Sequence, residues 1–184
     1  MGDSPYVVDR RQHYEWMRDW LPSPVHAILD IGSGPAFTDV WLVRHYGVDA
    51  VVVHLMDNDH HVPAAGKNQV GMRPVMTPWK DRNVGIANLL EHEPRCDARG
   101  CDADPSLTVP CDLIVSFRSW GFHYPVTTYL SLAKRSLSDH GRIIVDLRRG
   151  ASGLAAFDDA GFESLAIIGG GSHKCDRHVL ARRA

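Results

Sequence analysis

The chain has 184 residues and a mass of 20.4 kDa, with 44% hydrophobic and 23% charged residues. Those values fit one globular domain and exclude the disordered and fibrous classes. Lysine and arginine number 20 against 22 acids, a net charge of −2, so the basic excess usual in a nucleic-acid binder is missing.

No run of about 18 apolar residues occurs, so no membrane span is expected. The N-terminus lacks the apolar segment of a secretory signal. Four scattered cysteines are then expected to be reduced thiols of a cytoplasmic protein.

In chain order, residues 9–21 place Tyr14, Met17, Trp20 and Leu21 on one helical face, stopped by Pro22 and Pro24. Val25 to Ile31 is a short apolar run closed by Gly32-Ser33-Gly34, which predicts a buried strand. Phe37 to Tyr46 carries Val40, Trp41, Leu42 and Val43 and suits a helix ended by Gly47. Ala50 to Met56 is continuous and β-branched, as in a strand covered on both faces. Residues 60–78, rich in Pro, Gly and polar groups, predict an insertion, and Trp79 to Glu91 predicts a helix. Leu113–Phe117 and Ile143–Leu147 read as buried strands, with helical spacing over Val126–Leu137 between them. Gly153–Ala160 predicts a last helix. Phe162–Ile168 and Arg177–Arg182 predict two strands joined by a glycine-rich turn. Strands alternating with helices predict an α/β fold whose parallel sheet ends in an antiparallel hairpin.

The densest chemical signal is Ile28-Leu29-Asp30-Ile31-Gly32-Ser33-Gly34-Pro35-Ala36. Glycines after a first buried strand let the backbone turn tightly against a ligand. A dinucleotide fingerprint needs a third glycine where Phe37 stands, so that reading fails. Asp30 would repel a pyrophosphate and attract a cation. S-adenosylmethionine carries an ammonium and a sulfonium and no phosphate. Asp57 follows 27 residues later, at the end of the second strand, where an acid can accept both ribose hydroxyls.

This order of motifs resembles the class I S-adenosylmethionine-dependent methyltransferases. The match begins with LDIGSGPA and the acid after the second strand, and continues through Gly100-Cys101-Asp102-Ala103 and CDLIVSFRSWGFHYP. It ends with Leu137-Ser138-Asp139-His140-Gly141-Arg142-Ile143-Ile144-Val145. It covers roughly residues 25–147 and extends in outline to the hairpin. The resemblance implies a Rossmann-like, doubly wound, mostly parallel seven-stranded sheet with a C-terminal antiparallel β-hairpin. It implies a single domain over 1–184, with a lid helix in 1–24 and the core in 25–184. By the same resemblance Asp30 and Gly32, Ser33 and Gly34 contact the methionine end of S-adenosyl-L-methionine, Asp57 the ribose and Asp102 the adenine amino group. Pro35, Asn58, Ala103 and Ser116 stand beside them. Two departures are Ala36 in place of the usual last glycine and a long interval of 45 residues from Asp57 to Asp102.

The fourth strand should deliver Ser116 to Pro125 to the reacting methyl group. Methyl transfer from a sulfonium is an in-line displacement, so positioning and exclusion of water matter most. His123 is the candidate base, because neutral imidazole accepts a proton near pH 7. Tyr124 or Arg118 could orient an acceptor or the methionine carboxylate. The Asp/Asn-Pro-Pro-aromatic segment of enzymes that methylate adenine in DNA is replaced by Ser116-Phe117-Arg118-Ser119, so a nucleic-acid acceptor is not expected. Stretch 6–21, with Tyr6, His13, Tyr14, Trp16 and Trp20, is read as the lid. No substrate domain fits in this length, so the acceptor should be a small molecule; a homodimer is compatible with the chain.

Two histidine groupings, His54 to His61 and His173 to His178, stand in the chain, and Cys96 and Cys101 just reach the spacing of a zinc pair, but no second cysteine pair follows and no metal is expected. The expected activity is therefore small-molecule O- or N-methylation. One rival makes S-adenosylmethionine the sole substrate, cyclised or cleaved with release of methylthioadenosine. The other is a non-catalytic cofactor-binding subunit.

Overall fold

A computed structural model describes residues 5–57, 82–172 and 174–183. The predicted insertion at 60–78 and the start of the helix predicted from Trp79 lie outside the described residues. Helix α1 spans Pro5–Met17 and passes through a 3-10 turn, Arg18–Trp20, into strand β1, Ala27–Ile31. Then follow α2 (Phe37–Tyr46), β2 (Val52–Met56), α3 (Arg82–His92), β3 (Asp97–Cys101) and β4 (Cys111–Ser116). The second half is α4 (Leu130–Ser136), β5 (Leu137–Arg148), α5 (Gly153–Asp159), β6 (Phe162–Ser172) and β7 (Cys175–Arg182).

The seven strands form one sheet in the order β3-β2-β1-β4-β5-β7-β6. Strands β1 to β5 pair in parallel, and β7 enters antiparallel between β5 and β6. The expected doubly wound sheet with its terminal hairpin is the observed one.

Period-two alternation explains the layering, since successive strand residues point to opposite faces. Ile28, Val53, Leu113, Ile144 and Val179 pack on one side with Met17 of α1, Val40 and Val43 of α2 and Leu89 of α3. Leu29, Ile114, Ile143, Val145 and Leu180 pack on the other with Leu132 of α4 and Phe157 of α5. The same alternation sends Asp30, Asp146 and Arg177 to the α1/α2 side, two residues beyond Ile28 and Ile144 and two before Val179.

Three contacts tie the N-terminal segment to the sheet. The guanidinium of Arg142 donates to the Trp20 carbonyl at 2.6 Å, and the Tyr46 hydroxyl to the Pro22 carbonyl at 3.0 Å. The Asp112 carboxylate accepts the His26 amide at 2.8 Å.

The helix predicted over Val126–Leu137 is shorter than its spacing suggested. Val126–Thr128 is a 3-10 turn, Tyr129 breaks the run at φ −116° and ψ 9°, and Leu137 already pairs with Cys111 as the first residue of β5. Arg182 of β7 stops α4 by donating to the carbonyls of Lys134 and Leu137. None of the four cysteines forms a disulfide, and burial pushes the thiols of Cys96 and Cys101 up to about 11 and that of Cys111 up to about 12. They therefore pack as small apolar groups.

Candidate functional site

The loop after β1 turns against β2. Gly32 donates to the Met56 carbonyl at 2.7 Å with φ at +77°, and Gly34 donates to the Asp57 carboxylate at 3.1 Å with φ at +51°. Gly32 also needs its missing Cβ for space: one built there would lie 2.0 Å from the Ser119 hydroxyl. Helix α3 closes on the same loop, where Asn88 donates to the Pro35 carbonyl at 3.2 Å.

Behind this loop lies a cavity of about 190 Å³ lined by Asp30, Ser33, Thr38, Asp39, Phe117 and Arg118 among others. Asp30 is 4% exposed and Asp39 0%. Asp30 Oδ1, both Asp39 carboxylate oxygens and Ser33 Oγ are buried and have no hydrogen-bond partner among the described residues. Burial, then the charge of Asp39 beside it, raises the Asp30 pKa well above the ordinary carboxylate value. Burial also pushes Asp39 up, to about 7. Two carboxyls so placed cannot both ionise readily, so the pair retains a proton toward neutral pH.

The lining also carries cations. Arg10 and His13 of α1 and Arg118 after β4 line the same cavity. Arg118 holds φ at +59°, a left-handed conformation that aims a long side chain where an extended residue would not. Behind them Arg177, 0% exposed, binds Asp146 in two-pronged fashion at 2.8 and 3.1 Å. Its guanidinium lies 4.1 Å from the Phe117 ring centre and donates to His13 Nδ1 at 3.4 Å. Burial, then the neighbouring charges of Arg177, Arg10 and Arg118, depresses the His13 pKa to about 3. The imidazole is thus a neutral spacer among three guanidiniums.

A second cavity, of about 280 Å³, opens on the far side of the 117–124 turn. His123, Tyr124 and Phe122 line it with Arg148 at the end of β5, Ser152 and Ala156. The turn is rigid: the Ser119 carbonyl accepts the amides of Phe122, His123 and Tyr124 at 2.8 to 3.2 Å. Burial, then the charge of Asp57, raises the Tyr124 pKa, so the field of Asp57 reaches this cavity.

The predicted site residues therefore divide. Asp30, Gly32, Ser33, Gly34, Pro35 and Arg118 line the first cavity, and His123 and Tyr124 the second. Asp57 sits at the rim, bonded to the glycine loop. Asp102 and Ala103 follow β3, and neither lines either cavity; Asp102 is exposed and ion-paired with Arg82 of α3 at 2.5 Å. Asn58 lies outside the described residues.

Ser116 faces inward. Its hydroxyl donates to the Ile31 carbonyl at 2.7 Å and accepts the Trp120 amide at 3.0 Å, so it fastens β4 to β1 and has no surface left for a ligand. Trp120 likewise turns into the core, its indole donating to the Val126 carbonyl at 2.7 Å. Sequence reasoning missed Arg10, Asp39 and Arg148. Helix α1 walls the first cavity with Arg10 and His13, while the side chain of Tyr6 lies outside the described residues. So do Asp59, His60, His61 and His173; among the described residues no group of three His, Cys, Asp or Glu could hold a metal. No helix among them is long and apolar enough to cross a membrane.

No protein-family model and no curated protein sequence matches this chain. Solved structures share its fold. A ribosomal protein L11 methylase from Lactobacillus delbrueckii subsp. bulgaricus superposes with a TM-score of 0.63 at 10% identity, over 100% of this chain and 81% of that one. A magnesium protoporphyrin IX methyltransferase from Synechocystis PCC 6803 with bound S-adenosylmethionine gives 0.62 at 15% identity, over 100% and 86%. Mitomycin 7-O-methyltransferase gives 0.60 at 13% identity over 97% of this chain and 54% of its own, so the chain spans about half its length. The fold is thus that of S-adenosylmethionine-dependent methyltransferases.

Proposed function

We propose that the chain binds S-adenosyl-L-methionine and methylates an oxygen or nitrogen of a small-molecule acceptor. The observation that carries this reading is the charge layout of the first cavity. Buried oxygens of Asp30, Asp39 and Ser33, without a partner among the described residues, line the same cavity as the guanidiniums of Arg118 and Arg10. An amino-acid zwitterion matches both kinds of charge; a pyrophosphate would meet two carboxylates. Asp30, Ser33 and Asp39 would hold the ammonium, Arg118 the carboxylate and Asp57 the ribose hydroxyls. Asp102 is assigned the adenine amino group by family resemblance alone.

When bound, S-adenosylmethionine supplies a methyl on a sulfonium: its carbon–sulfur bond breaks as the new carbon–oxygen or carbon–nitrogen bond forms, and the sulfur leaves neutral. His123 takes the proton that the acceptor must shed, and Tyr124 orients the acceptor. Helix α1 acts as the lid, keeping water from the methionine end through Arg10 and His13. The separate second cavity favours transfer to an acceptor over cleavage of the cofactor alone.

The test is a calorimetric titration with S-adenosylmethionine, followed by mass spectrometry with and without a small-metabolite extract. We expect binding that Asp57→Ala weakens by about tenfold or more, through lost charge-assisted bonds. We also expect S-adenosylhomocysteine only when extract is present. Methylthioadenosine without extract would make the cofactor the substrate, and binding without any product would leave a cofactor-binding subunit. Absence of binding would overturn the reading altogether.

A further inference from the structure

Among the described residues that line the second cavity there is one arginine and no acid. Its cation is Arg148, at the last residue of β5, whose backbone N–H donates to the Gly121 carbonyl at 3.1 Å. The guanidinium lies 5.6 Å from the Phe122 ring centre, a cation–π contact that fixes it at the cavity wall. Three acids on the adjoining segments are engaged elsewhere: Asp146 by Arg177, Asp176 by Arg149 and Asp158 by Arg183. Among the described residues Arg148 has no carboxylate partner. A half-buried guanidinium in that state gains most from an anion brought by a ligand.

The rest of the wall sets the ligand's other properties. Phe122, Val126 and Ala156 are apolar, and about 280 Å³ is near the small end of ligand cavities. One guanidinium, with no lysine or second arginine in the lining, matches a monoanion. A phosphate would leave charge unmatched.

We propose that the second cavity is the acceptor site and that the acceptor is a small carboxylic acid with an apolar body, its carboxylate paired with Arg148. This assignment rests on the methyl-transfer reading for the word acceptor; the carboxylate site itself rests on the cavity. With its acid group held at Arg148, the remainder of the molecule lies along the wall that carries His123 and Tyr124.

The experiment needs neither cofactor nor turnover. Benzoate, 4-hydroxybenzoate and their uncharged amides are titrated against the protein by ligand-observed NMR. The acids should bind about tenfold or more tightly than the amides. Arg148→Gln should erase that preference, Arg148→Lys should retain part of it, and Arg118→Gln should leave it intact. Equal binding of acid and amide overturns the proposal, as does a preference that survives Arg148→Gln or inorganic phosphate displacing the acids at lower concentration. Calorimetry with S-adenosylmethionine on the same samples separates the two failures. Cofactor binding without acid recognition sinks only this inference, whereas acid recognition without cofactor binding sinks only the methyl-transfer reading.

Discussion

Asp146 and the pair Asp30 and Asp39 lie toward the same helical layer, equally buried and very differently matched. Asp146 is met in two-pronged fashion by Arg177, and both side chains are wholly inaccessible. Asp30 and Asp39 meet each other, with no cation paired to them and three unpartnered oxygens among the described residues. A buried charge that the fold itself neutralises is a structural element. A buried pair of acids that the fold leaves to share a proton is complementary to a cation that arrives later. The contrast separates what holds the domain together from what the domain is built to hold.

Breaking the matched pair should have the largest effect. Arg177→Ala leaves Asp146 buried and uncompensated, and removes the cation from the Phe117 face and from His13. A loss of about 3–5 kcal/mol in urea denaturation is expected. The double variant Asp146→Leu with Arg177→Met should recover most of it, because it removes both desolvated charges together. A single-variant loss near zero would mean that Asp146 is no better matched than Asp30, and the contrast would collapse.

Neutralising the unmatched pair should act in the opposite sense on stability. Asp30→Asn and Asp39→Asn each relieve the repulsion between two buried carboxyls, so thermal stability at pH 7 should hold or rise. Affinity for S-adenosylmethionine should fall for both, by about tenfold or more for Asp30→Asn, since a charge-assisted contact to the ammonium becomes a neutral one. Loss of stability in both variants, with affinity retained, would make the pair structural after all.

The two aspartate sites were unequally legible. Asp30 follows an apolar run and precedes Gly32-Ser33-Gly34, so local pattern alone points to it. Asp39 reads as an ordinary first-turn acid of α2; only the packing of α2 on β1 buries it against Asp30. Asp146 and Arg177 are 31 residues apart and meet because β7 pairs antiparallel with β5. Strand order decides Ser116 too, since its hydroxyl is taken up by Ile31 of the neighbouring β1. Most of the sheet was readable from its buried β-branched runs, because both faces of a covered parallel strand must be apolar; edge strand β3, polar and largely exposed, carries no such run. Arg148 reads as any strand-end charge; only the folding of the 121–127 segment against it places it on a cavity wall beside the Phe122 ring.

A smaller effect sharpens the comparison further, through pH. Asp39 has its folded pKa raised to about 7, above the ordinary carboxylate value, so the folded state holds more protons than the unfolded one in between. Its contribution is greatest in acid and declines as pH rises toward 7. His13, beside the matched pair, has its pKa depressed to about 3 from 6.5, so there the unfolded state holds more protons and stability rises with pH up to about 6.5. Between pH 4.5 and 6.5 the two slopes oppose, and the native chain should show little net dependence. The double variant Asp30→Asn with Asp39→Asn should unmask a rise in stability with pH across that window, because burial raises Asp30 as well, and His13→Gln should show a fall. Both slopes should stay well below one proton per molecule, because His13 is only partly buried and solvent screens it. Urea midpoints across the window read both signs; slopes of the same sign in the two variants would mean that the matched and unmatched sites titrate as one network.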